Sequence, residues 1–243
     1  MYANKKNKGG KTLTEIIIAL NTNKKDIAEK WVSALFPLVR WFKIGYPLYI
    51  NAGNKFVKEL KEKGAKVFLD LKLFDIPSVV SLAIKEISEL GVDMITLHTL
   101  GGFEMLESAC KTLWEVEEGK RPLLIGVTIL TSMSEATLKD VSGARKTMDE
   151  EIERLAKLSK SAGLDGVVVS GEEIEIVKKI CGKEFLTVVP GIRLKEDLSF
   201  DQERIITPRE AKEKGADFLV IGRPITHSDN PFEKLKRYLE EIG

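Results

Sequence analysis

The densest cluster of chemically useful side chains in this sequence is the run Asp70-Leu71-Lys72-Leu73-Phe74-Asp75-Ile76-Pro77. In an extended segment side chains alternate, so positions 70 and 72 are expected to point to the same side. Lys43, near the end of the apolar run WFKIG (41–45), supplies a second ammonium group that can reach the same place. Two carboxylates and two ammonium groups crowded together are costly unless paired, and pairing keeps each in its charged form. Such a network could stabilise charge that develops on a substrate, or it could simply brace the fold. A second cluster pairs glycine with arginine twice: Pro190-Gly191-Ile192-Arg193 after one apolar run and Gly222-Arg223-Pro224 after another. Glycine lets backbone N–H groups approach an anion, and a guanidinium offers a planar two-pronged fork, so the pairs suit a phosphate.

A pattern that recurs four times organises these clusters: a helix-like stretch, a Gly, a short spacer and an apolar run. It occurs at Gly64-Ala65-Lys66 before VFLDL, Gly91-Val92-Asp93 before MITLH, Gly163-Leu164-Asp165 before GVVVS and Gly215-Ala216-Asp217 before FLVIG. Glycine there can adopt the left-handed conformation that ends a helix. The runs are apolar at successive positions, as strands buried on both faces are. With EIIIAL (15–20), WFKIG (41–45), LLIGVTIL (123–130) and FLTVV (185–189), they make eight strands. Between them Ile27, Trp31 and Leu35, then Ile152, Leu155, Ala156 and Ser159, then Phe232, Leu235 and Leu239 recur at helical spacing. Pro77 and Pro231 suit first turns of helices.

Eight β-then-α units in 243 residues predict a single-domain (β/α)8 TIM barrel over residues 15–243, preceded by a tail, residues 1–14. An open doubly wound sheet would normally carry a Gly-rich fingerprint after its first strand, whereas Asn21-Thr22-Asn23 stands there. In such barrels the C-terminal strand ends carry the active site, with phosphate favouring the loops after strands seven and eight. Both clusters fall at those ends.

Composition narrows the function. With 38 Lys and Arg against 37 Asp and Glu, nothing calls for nucleic acid or an anionic membrane. The basic first dozen residues read as a solvated tail rather than a nucleic-acid arm. The run Ile16 to Leu20 is too short for a signal segment or a span, and Cys110 and Cys181 lack partners at metal-ligand spacing, so a reducing cytoplasm is expected. His98 reads as a hydrogen-bonded histidine at the barrel mouth and His227 as partnerless. Cys110, Met105 and Trp114 read as packing residues, and the run from Lys139 to Glu153 as a solvated loop and helix face.

From Glu15 to Leu239 the chain resembles the orotidine 5′-phosphate decarboxylases of bacterial type. The resemblance rests on FKIG (42–45), DLKLFDIP (70–77), LTSM (130–133), and PGIR with Asp201-Gln202-x-Arg204 and GRPIT across 190–226. It implies a carboxy-lyase of pyrimidine synthesis that converts orotidine 5′-phosphate to UMP and CO2 without metal or organic cofactor. Lys43, Asp70, Lys72 and Asp75 would form the charged tetrad, with Lys72 protonating C6. Asp75 and Ile76 would reach the partner's site in a homodimer. Thr131 would contact the base, Asn21 the ribose, and Pro190, Arg193, Gln202, Gly222 and Arg223 would line the phosphate side. Two positions depart from the family pattern: Asn21 stands where Asp is usual, and Val79 where Thr is common. Both fall on sugar recognition. The Asp-x-Lys-x-x-Asp skeleton is shared with metal-dependent enzymes of ketose phosphates, but these tend to have an acidic residue where Lys43 stands, since Mg2+ wants oxygen ligands. A non-catalytic phosphometabolite-binding barrel is the other alternative.

Overall fold

The computed structural model describes residues 14–142, 146–197 and 205–243. Strands and helices alternate as β1 (Glu15–Ala19), α1 (Lys25–Leu35), β2 (Trp41–Gly45), α2 (Tyr46–Glu62), β3 (Lys66–Leu73), α3 (Pro77–Glu89), β4 (Met94–His98) and α4 (Gly102–Thr112). The second half runs β5 (Leu123–Val127), α5 (Glu135–Ser142), α6 (Met148–Ala162), β6 (Gly166–Val168), α7 (Ile174–Cys181), β7 (Leu186–Val189), α8 (Pro208–Glu213), β8 (Phe218–Ile221), α9 (Arg223–Thr226) and α10 (Pro231–Ile242). The strands are parallel and pair in sequence order, and β8 pairs with β1 to close the barrel. Each of the four helix-ending glycines, at 64, 91, 163 and 215, has positive φ. Pro77 and Pro231 open their helices as expected.

The apolar residues divide into an outer and an inner layer. Outside, one face of each strand packs against the helices through residues such as Ile18, Phe42, Leu69 and Leu97. Inside, Ile17, Trp41, Phe68, Met94, Ile125, Val188 and Phe218 fill the barrel, with Trp41 and Phe218 meeting edge to face at 5.2 Å. In α1 the inward stripe is Ala28, Val32 and Leu35, so Ile27 and Trp31 lie on its shoulders rather than at its centre.

Carboxylates tie the N-terminal end of the barrel together two strands at a time. Three belong to the Gly-x-Asp repeat: Asp93 accepts from Val67 N (2.7 Å), Asp165 from Leu124 N (2.8 Å) and Asp217 from Thr187 N (2.8 Å). Each Asp precedes an even strand and binds the start of the odd strand before it. Glu15 does the same for the first two strands, accepting from Trp41 Nε1 at 3.0 Å. Lys61 and Lys178 pair with Asp93 and Asp217.

Several expectations need correction. The fifth strand ends at Val127 rather than residue 130, because the chain turns there into the loop that borders the barrel mouth. Trp114 is 71% exposed in a short turn after α4 and is not a packing residue. The His227 ring meets Trp31 edge-on at 6.2 Å. The segment from Lys139 to Glu153 is not wholly solvated, since Met148, Glu151 and Ile152 are buried on α6. No helix among the described residues is long and apolar enough to cross a membrane.

Candidate active site

At the C-terminal end of the barrel a cavity of about 270 Å³ opens above the apolar filling. The inward series on each strand explains the change in character. Trp41, Phe68 and Met94 fill the interior, and two residues further along the same strands stand Lys43, Asp70 and Thr96. A charged layer therefore sits directly on an apolar floor.

Asp70 is its centre. The residue is 9% exposed, yet every oxygen is engaged: Lys43 Nζ lies 3.0 Å from Oδ2 and Lys72 Nζ 2.8 Å from Oδ1. The buried Thr96 hydroxyl donates to Oδ1 at 2.9 Å. Burial pushes the Asp70 carboxyl up, but Lys43 and Lys72 outweigh it and hold the group below its usual value. Tyr46, beside the Lys72 ammonium at 5.9 Å from ring centre, donates its hydroxyl to Leu71 O. Burial raises the Tyr46 phenol, and the Asp70 charge adds to the effect.

Asp70 and Lys72 meet for a different reason from the one expected. Simple alternation does not hold, because β3 shifts register against β4 between Leu69 and Leu73. Within that bulge Lys72 has φ 44°, the one positive value of a non-glycine among the described residues. The Lys72 N–H turns to Thr96 Oγ1 at 2.8 Å. A bulge of this kind re-aims a side chain; here it folds the ammonium back over Asp70.

Asp75 is not in this cavity. It is exposed, accepts from Ile76 N at 2.7 Å, and stands with Ile76 at the entrance to α3. Only three members of the expected tetrad come together within the single chain. On either side of Asp75 in the chain, Phe74 (60%) and Ile76 (62%) are exposed apolar side chains, and Ile50 on α2 and Leu82 on α3 are exposed as well. Val79 belongs to the same exposed group.

Asn21 follows β1, the strand paired with that of Lys43, and Thr131, Pro190, Arg193, Gly222 and Arg223 line the opposite wall. Gly222 brings the chain close to its neighbours: a Cβ there would lie 3.3 Å from Asn21 Nδ2 and 3.4 Å from Ala19 Cβ, so a larger residue would press on both. Arg193 donates to Ile192 O at 2.9 Å, and burial, helped by the Arg223 charge, lowers its affinity for a proton against the opposing pull of Tyr238 and Asp197. Two guanidinium groups facing one cavity favour an anion between them. Gln202 lies outside the described residues.

His98 borders the network. Its Nδ1 accepts from Leu100 N at 3.4 Å and its ring lies 5.5 Å from that of Phe74. Burial, and then the Lys72 charge, lower its pKa from 6.5, which keeps it neutral at pH 7. Cys110 packs against the outer core, and burial pushes its thiol up to about 12, which fits a packing role. The sequence reading missed Thr96. A polar residue two positions after Met94, on the same strand face, was the available signal.

Comparison with known proteins places the chain firmly. Residues 14–238 match the family model described as Orotidine 5′-phosphate decarboxylase / HUMPS family. A curated orotidine 5′-phosphate decarboxylase from Carboxydothermus hydrogenoformans is 46% identical over 229 residues, 93% of this chain and 95% of that protein. One from Legionella pneumophila is 46% identical over 228 residues, 94% of this chain and 99% of its own length. The crystal structure of orotidine 5′-phosphate decarboxylase from Lactobacillus acidophilus superposes with a TM-score of 0.83 at 34% identity, covering 95% of this chain and 99% of that one.

Proposed function

The chain belongs to the orotidine 5′-phosphate decarboxylase / HUMPS family, and from that premise we propose that it is itself a carboxy-lyase converting orotidine 5′-phosphate to UMP and CO2. The observation that carries this reading is the ionised Asp70, gripped by Lys43 and Lys72, in one cavity with Arg193 and Arg223. The phosphate goes to the two arginines and the Gly222 turn, with Gln202 and Pro190 completing that side. Asn21 meets the ribose and Thr131 the base, which leaves the pyrimidine ring against the charged layer.

As the bond from C6 to the carboxylate breaks, CO2 leaves and the electron pair stays on C6. The Lys72 ammonium delivers its proton to that carbon, and the amine is reprotonated from solvent. Asp70 lies beside the departing carboxylate and holds Lys72 in place. Fixed charges aimed at the developing carbanion do the stabilising, without metal or organic cofactor. Binding at the remote phosphate helps hold the ring in register.

Asp75 and Ile76 act in trans. They stand away from their own cavity amid exposed apolar side chains, as suits a homodimer in which each chain completes its partner's site. The barrel domain begins near residue 15, and a cytoplasmic enzyme without nucleic-acid or membrane partners fits the near-neutral charge balance.

A metal-dependent enzyme of a ketose phosphate is the second reading. It is disfavoured by Asp70, whose two oxygens are already occupied by Lys43, Lys72 and Thr96. Loss of pyrimidine absorbance on adding orotidine 5′-phosphate, with and without EDTA, separates the two. Turnover unaffected by EDTA and lowered about 10²- to 10⁴-fold in Lys72→Ala is expected. Activity that requires a divalent cation, or that survives Lys72→Ala, would overturn the reading.

A further inference from the structure

Thr96 has no exposed surface and cannot touch bulk solvent, yet both capacities of its hydroxyl are in use. It accepts from Lys72 N at 2.8 Å and donates to Asp70 Oδ1 at 2.9 Å. A hydroxyl has one proton and two lone pairs, so one atom here ties a main-chain donor to a charged acceptor. Lys72 is the position where that tie matters most. Its left-handed φ of 44° is unfavourable for a side-chain-bearing residue, and such conformations persist only when their surroundings over-determine them.

The register shift between β3 and β4 takes Lys72 out of the regular ladder, and its N–H finds the Thr96 side chain instead. The same oxygen, Oδ1, receives both the Thr96 proton and the Lys72 ammonium, so the carboxylate cannot rotate without breaking two bonds.

We propose that Thr96 is a positioning residue of the decarboxylation: its hydroxyl locks the bulge that aims Lys72 and fixes the rotamer of the Asp70 carboxylate against it. The inference rests on the reaction proposed above and extends it to a residue that does not meet the substrate. Thr96 works through Lys72 and Asp70, and its contribution falls on kcat rather than on nucleotide binding, which depends on the opposite wall.

Thr96→Val keeps the shape and removes the hydroxyl, and Thr96→Ser restores the hydroxyl while dropping a methyl. A displacement of about 1 Å at a reacting group is enough for a loss on the order of 10²-fold. Thr96→Val is therefore expected to lower kcat by about 10- to 100-fold with KM within about threefold, and Thr96→Ser to return kcat to within about threefold of wild type. The acid limb of the kcat profile should move to higher pH in Thr96→Val, since Asp70 loses a donor that favours its ionised form. A merely structural Thr96 would lower thermal stability without moving that limb. Equal kcat in wild type and Thr96→Val, or a loss that Thr96→Ser fails to recover, would overturn the inference. A wild-type protein inert toward orotidine 5′-phosphate would sink the functional reading alone. The crystal structure of Thr96→Val would then still decide this one: an unchanged Lys72 backbone and an unchanged Lys72–Asp70 pair would reject it.

Discussion

Replacing Lys43 with Met removes one of the two ammonium groups that keep Asp70 ionised and leaves an unbranched chain of similar length in the cavity wall. In the structure Lys43 Nζ sits 3.0 Å from Asp70 Oδ2, and the two side chains are only 13% and 12% exposed. Burial acts to raise the Asp70 carboxyl, and the combined pull of Lys43 and Lys72 brings it below its usual value. Breaking a buried pair of this kind costs about 3 kcal/mol. At about 1.4 kcal/mol per pH unit, that moves the carboxyl up by roughly two units. A depressed carboxyl contributes stability that is full at neutral pH and is lost only as the pH falls through its low folded value. In Lys43→Met the loss starts roughly two units sooner, so the stability deficit is largest at neutral pH and shrinks toward about pH 4. Because the proposed reaction needs Asp70 ionised, the acid limb of kcat should move up by a similar amount. Rate profiles against pH for the two proteins, with urea unfolding at both ends of the range, measure this directly. Coincident acid limbs together with an equal stability deficit at both pH values would refute the electrostatic account of Asp70.

Other perturbations test other walls of the cavity. Arg223→Ala should lower kcat/KM for orotidine 5′-phosphate by about 2–3 kcal/mol, typical of a lost charge-assisted hydrogen bond, while leaving the unphosphorylated nucleoside's slow turnover unchanged in the same assay. Phe74→Glu places a charge among the exposed apolar side chains beside Asp75, and sedimentation should show monomers without activity; an active monomer would rule out the shared site. Mixing inactive Lys72→Ala and Asp75→Asn subunits should restore part of the activity, since one site of each mixed dimer keeps both residues. Asn21→Asp with Val79→Thr should lower KM, as both changes restore groups directed at the sugar; an unchanged or raised KM would show that neither position limits recognition.

Much of this arrangement is legible in the sequence because it is local. Each Gly-x-Asp or Gly-Ala-Lys step marks a helix end, and each apolar run a strand buried on both faces, so the barrel follows from short segments read one at a time. The strand ends then point to Asn21, Lys43, Asp70, Lys72, Arg193 and Arg223, all of which line one cavity. What escapes is set by pairing across strands. The register shift between β3 and β4 leaves no mark in DLKLFDIP itself, so alternation accounts for the Asp70–Lys72 meeting by the wrong geometry. Thr96 shows in the sequence only as a polar residue on a strand face, and its two partners appear once β4 is laid beside β3. Trp114 misleads for a related reason: an aromatic residue near the end of a helical stretch reads as core, but the helix stops at Thr112 and the ring swings outward.

The four carboxylate ties at the closed end of the barrel link strands one with two, three with four, five with six, and seven with eight. Among the described residues no tie of that type bridges one couple to the next, so the molecule is seamed like a cask made from four double staves. A break in the polypeptide just ahead of Leu123 would leave every stitch whole, with two on each fragment. A break between Val67 and Asp93 would part a stitch and strand a carboxylate on one piece and its amide on the other. The barrel therefore has natural lines of division, and the charged trio of Lys43, Asp70 and Lys72 lies entirely within its first half.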